Sequence, residues 1–125
     1  MATAGATRVK GVDAAYYMVK DIERATKFYT DLIGFDPTLT VPGSVAEWTF
    51  PGDETFGVYQ PEDAGKWTPS YGMLFAVGDI KSALADYMQR GVRFDDDGEI
   101  AESPVCYMAI AHDTEGNKFI VHQRK

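Results

Sequence analysis

At 125 residues, with 45% hydrophobic and 13% aromatic side chains, the chain is long enough for one domain with a real core and too apolar for disorder. Its formal net charge of −7 works against phosphate backbones and anionic bilayers, so nucleic acid and membranes are not expected partners. A lone cysteine, Cys106, excludes an internal disulfide and fits a reducing, cytoplasmic setting.

The leading MATAGATRVKG has no apolar signal core, and no run approaches the length of a membrane span. Residues 12–19 (VDAAYYMV) read as a strand. Asp21 then stands where a helix N-cap belongs, and Ile22, Ala25, Phe28, Tyr29, Leu32 and Ile33 follow at helical spacing until Gly34. Residues 35–41 are expected as a second strand. Residues 46–50 and 55–60 form a hairpin around Pro51-Gly52-Asp53. Residues 60–71 have no period and read as a linker, with Trp67 as a lid or, preferably, an anchor for the crossover.

After the linker the order restarts. Residues 72–77 form a strand, Asp79 is an N-cap, and Ile80, Ala83, Leu84, Tyr87 and Met88 mark a helix face ended by Gly91. Residues 92–94 start a strand and 95–104 are loop, with the acidic run Asp95-Asp96-Asp97 solvated. Residues 105–112 and 118–123 close as a hairpin around Thr114-Glu115-Gly116. VKDIERATKFY at Val19 thus returns as VGDIKSALADY at Val77, roughly 58 residues on. Two copies are too few for a solenoid, so a paired domain is expected. Each half reads β-α-β-β-β: module one over about 10–60, the linker over 61–71 and module two over 72–125.

A duplicated βαβββ module resembles the vicinal oxygen chelate superfamily, which holds glyoxalase I, extradiol dioxygenases, fosfomycin-resistance transferases and bleomycin-binding proteins. The similarity is carried by VKDIERATKFYTDLIGF and by the terminal HDTEGNKFIVHQRK. It implies an α+β fold in which a curved mixed sheet surrounds a cleft with helices on its outer face, and it implies pairing as a homodimer. The final VHQRK and Pro104-Val105-Cys106 are similar to an uncharacterised branch, which often carries His where this chain has Tyr107. In metal-using members the resemblance places ligands at positions that are here Ala14, Gly72 and Ile120. Methyl, hydrogen and sec-butyl groups donate nothing to a cation, so neither a metal nor any other cofactor is expected.

If those three positions face inward, alternation adds Tyr16 and Met18, Leu74 and Ala76, and His122 with Tyr107, Ala109 and Ala111. In the middle hairpin either Glu47 or Trp48 faces inward. Pairing around Thr114-Glu115 would set His112 opposite Asn117 and His122 opposite Tyr107, which puts the two histidines on opposite sheet faces. The expected lining is an apolar, aromatic trough suited to a flat or amphipathic small molecule, with Tyr16, Met18, Trp48, Leu74, Tyr107 and His122 as ligand contacts. Three functions follow: a metal-free binding protein, a glyoxalase-like lyase or isomerase that uses either a relocated metal or proton transfer by Glu47 or His122 alone, and a non-catalytic interaction module.

Overall fold

The computed structural model describes residues 8–125; the first seven, part of the N-terminal stretch read above, lie outside the described residues. Strand β1 (Ala15–Met18) leads into helix α1 (Ile22–Ile33). The Asp21 side chain accepts from the amides of Glu23 and Arg24, and Gly34 closes the helix at φ 97°, a conformation that costs glycine little. Strands β2 (Leu39–Val41), β3 (Val45–Thr49) and β4 (Thr55–Tyr59) complete the first module. β2 is shorter than expected. Pro37 lacks a ladder donor, and Phe35 instead gives its carbonyl to the Trp48 indole at 3.1 Å.

The second module repeats the plan with β5 (Met73–Ala76), helix α2 (Ile80–Gln89), β6 (Arg93–Phe94), β8 (Cys106–His112) and β9 (Lys118–Arg124). An added strand, β7 (Ala101–Glu102), pairs with β8 inside the stretch expected as loop. Sheet order is β1-β4-β3-β2 in one module and β5-β9-β8-β6 in the other, each with one parallel pair. The duplication reaches further than the sequence reading. Gln60 caps the Ile22 amide at 2.9 Å, and Gln123 caps the Ile80 amide at 2.8 Å in the same role. No helix among the described residues is long and apolar enough to cross a membrane.

The helix-side faces of the two sheets share one core. Tyr29 of α1, fully buried, sits within 6.3 Å of Trp48, Phe56, Phe75 and Phe119, two rings from each sheet. Phe56 meets Phe75 directly, edge to face at 5.0 Å. The opposite faces of the sheets therefore point away from this core.

The terminal turn ties the modules together. Glu115, 1% exposed, accepts from the backbone amides of Lys20 and Asp21 and is bonded by both Nε and Nη2 of Arg24. Asn117, also buried, donates to the Met18 carbonyl, while Asp113 accepts from the Tyr29 hydroxyl at 2.6 Å. Trp67 takes the anchoring role: its indole donates to the Met18 carbonyl at 3.2 Å, and the Lys20 ammonium lies 4.2 Å over its ring.

Candidate functional site

On the first sheet the outward row runs across all four strands as Leu39, Glu47, Gly57 and Tyr16, followed by Val41, Val45, Tyr59 and Met18. Tyr16 and Met18 thus stand on the open face, as alternation requires. The middle-hairpin register resolves in favour of Glu47. Trp48 faces the other way, 0% exposed in the core, so it is corrected from ligand contact to packing residue. The Tyr16 hydroxyl donates to Glu47 Oε2. Burial first, then the hydrogen bond and charge of Glu47, push the Tyr16 hydroxyl up to about 12, so it stays a donor.

On the second sheet the outward residues are Leu74 and Ala76 of β5, Ile120 and His122 of β9, and Met108 and Ile110 of β8. The register of the last hairpin differs from the expected one. His112 pairs with Lys118 and His122 with Met108, one position away from the expected register. The loop has three residues and closes with Gly116 at φ 91°, which moves the turn centre onto Glu115. Three consequences follow. Ala109 and Ala111 turn into the core, 3% and 0% exposed. Tyr107 goes with them to the helix side, beneath the Lys125 ammonium at 5.0 Å. The two histidines share a face but lie four residues apart along it, roughly 13 Å at strand rise.

His112 is occupied structurally. Its Nε2 donates to Asp95 Oδ1 at 2.5 Å, its Nδ1 faces the Arg93 guanidinium at 3.3 Å, and Lys118 bonds the other Asp95 oxygen at 3.0 Å. The hydrogen bonds from His112 and Lys118 hold the Asp95 carboxyl below its ordinary value. The acidic run is thus more than solvated loop: Asp95 anchors, while Asp96 and Asp97 turn at φ 53° and 54°. His122 makes no side-chain hydrogen bond among the described residues, and it lies on a different sheet from Glu47. Cys106 is buried beside the Ser103 hydroxyl at 3.1 Å, an ordinary core thiol.

A cavity of about 510 Å³ opens at the seam between the modules. Its walls include Leu32, Phe50, Phe56, Phe75, Tyr87 and Val121, and its exposed members are Glu54, Leu74, Ala76 and Arg124. That volume falls within the range of about 300–1,000 Å³ typical of small-molecule sites.

Two βαβββ repeats with matching strand order and a shared aromatic core define a paired-module α+β protein. The chain belongs to the Glyoxalase/Bleomycin resistance protein/Dioxygenase superfamily, whose sequence model matches residues 11–121. Among solved structures it is similar to TnmS3, an antibiotic binding protein from Streptomyces sp. CB03234, at 24% identity and TM-score 0.74, covering 94% of this chain and 98% of that one. It is also similar to a superfamily member from Sphaerobacter thermophilus DSM 20745 (24% identity, TM-score 0.72, 92% and 98% covered). Lactoylglutathione lyase from Agrobacterium tumefaciens shares 16% identity at TM-score 0.74, with 92% and 94% covered. At these identities the likeness shows the fold. No curated protein sequence matches the chain.

The superfamily's metal-using members raise the question of a divalent cation. Ala14 precedes β1, Gly72 precedes β5 at φ 114°, and Ile120 pairs with Ile110 and Leu74. None carries a donor atom on its side chain, and no group of three His, Cys, Asp or Glu among the described residues could hold a metal ion. These residues do not fit the group, and no metal-dependent step follows from them.

Proposed function

We propose that the chain is a small-molecule binding protein that holds a flat or amphipathic ligand in the seam cavity, with no cofactor. The cavity carries this reading: its walls are aromatic and aliphatic, and its charged members, Glu54 and Arg124, stand in exposed positions where they would orient a ligand. The antibiotic-binding description of the Streptomyces neighbour supports it. The test is calorimetric titration with a panel of planar aromatic compounds, alongside Leu74→Arg. Leu74 is 49% exposed at the cavity, so the longer, charged side chain should obstruct it without disturbing the core. The expected outcome is binding by the unaltered chain, at least about tenfold weaker in the variant, with unfolding midpoints within about 2 °C. A panel that gives no heat, or a variant that binds equally well, sinks the reading.

Cytoplasmic residence and homodimer formation belong to the same proposal. The single buried cysteine supports the first. Apolar side chains left in solvent, Tyr71 at 60% and Val105 at 71% exposure, support the second, since a second copy would cover them. Light scattering at micromolar concentration should return twice the 13.8 kDa chain mass; a monomer mass would remove the dimer.

A further inference from the structure

The open face of the first sheet has one charge and two aromatic rings, and their arrangement depends on a glycine. Glu47 and Tyr16 lie in one register row with Gly57 between them. A Cβ at Gly57 would meet the Tyr16 ring at 2.7 Å, so only the bare backbone lets that ring lie across the strand and reach the carboxylate. Tyr59, one row on, stands 6.1 Å from Tyr16 with the ring planes at 53°. Glu47 is half-buried, and among the described residues no lysine, arginine or histidine forms an ion pair with it. The other residues of the two rows are aliphatic, methionine or glycine, so no cation on this face neutralises the carboxylate.

A carboxylate with no cationic partner, beside a phenol ring laid across the strand and a second ring 6.1 Å from the first, attracts positive charge from both kinds of group and repels anions. The Tyr16 hydroxyl occupies Oε2 as a donor, which holds the carboxylate in place and leaves Oε1 for a ligand. We propose that this face is a second binding site, separate from the seam cavity, that takes a protonated or quaternary amine. Glu47 supplies the charge, Tyr16 and Tyr59 supply the ring faces, and Gly57 is the positioning residue.

The test uses the full chain at pH 8 with phenyltrimethylammonium and its uncharged counterpart, N,N-dimethylaniline. Binding is followed through the backbone amide resonances of Tyr16, Gly57 and Tyr59. The cation is expected to shift these resonances with an affinity at least about tenfold above the aniline. Glu47→Gln should bring the two compounds within about twofold. Tyr59→Leu keeps the charge, removes one ring, and should weaken the cation alone. Leu74→Arg should silence the seam cavity and leave the cation's affinity unchanged, so this site and the proposed function fail separately. Equal affinities in the unaltered chain overturn the proposal. So does a cation preference that survives Glu47→Gln, or amide shifts confined to the seam.

Discussion

Replacing Glu115 with alanine is expected to lower the stability of the folded chain by about 3 kcal/mol, since it strands donors that have no other partner. For a domain of this size that is a fall of roughly 10 °C in the unfolding midpoint. The carboxylate is buried, accepts from two amides at the start of α1, and is clasped by Arg24 at 2.7 Å. Arg24 is half exposed, so its own charge finds water when Glu115 goes; most of the loss comes from the orphaned amides and the void. Glu115→Gln keeps an acceptor oxygen and should cost about half as much.

The acid limb gives a second reading of the same residue. Burial raises the Glu115 carboxyl, but the bonds from Arg24, Thr114 and the Asp21 amide outweigh it, and the net position lies below the ordinary 4.5. A depressed carboxyl adds stability in full above its unfolded value and loses it as pH falls through the folded one. The stability gap between the unaltered chain and Glu115→Gln should therefore narrow below about pH 4.5. Chemical denaturation across pH 2–7 checks this, and a gap that holds constant to pH 2 would show that the charge contributes nothing.

Tyr29→Ala should be at least as damaging, at about 3–5 kcal/mol, because the ring packs against two aromatics from each sheet. Truncation opens a void where Trp48, Phe56, Phe75 and Phe119 meet, and the surrounding rings cannot all move to fill it. Tyr29→Phe isolates the hydroxyl, which donates to Asp113 at 2.6 Å; its removal should cost about 1.5–3 kcal/mol, the range for a bond to a charged acceptor. Calorimetry of the three chains decides the point. A Tyr29→Ala loss below about 1 kcal/mol would mean the two sheets hold together without it.

The duplicated fold is legible in the sequence because both helices announce themselves twice, with an aspartate cap, a 3.6-residue apolar period and a following glycine. The outward placement of Tyr16, Met18 and Leu74 is legible for the same kind of reason, since a strand alternates whatever it faces. What fails is register. Gly116 in the left-handed region lengthens the last loop by one residue, and one residue is enough to turn Tyr107, Ala109 and Ala111 to the opposite face. In the middle hairpin the sequence leaves Glu47 and Trp48 as alternatives, and packing against Tyr29 selects Trp48 for the core.

Glu115 gives no sign of burial in the sequence. It sits in a polar turn between threonine and glycine, and apart from Thr114 its side-chain partners come from more than 90 residues away. The paired glutamines escape notice for a simpler reason. Gln60 and Gln123 are 63 residues apart while the helices repeat at 58, because the second module carries the excursion containing β7.

Gln60 and Gln123 also bear on how the chain is held together. Each helix draws one starting cap from a glutamine of its own half, and the halves grip one another through Tyr29, Glu115 and Asn117, with Trp67 and Ser70 at the end of the crossover bonded into the same junction. The peptide bonds at 61–66 therefore act chiefly as a tether, raising the effective concentration of one half near the other without setting the geometry of their union. A break there would turn an intramolecular fit into a bimolecular one between complementary fragments, with the mated surfaces unchanged.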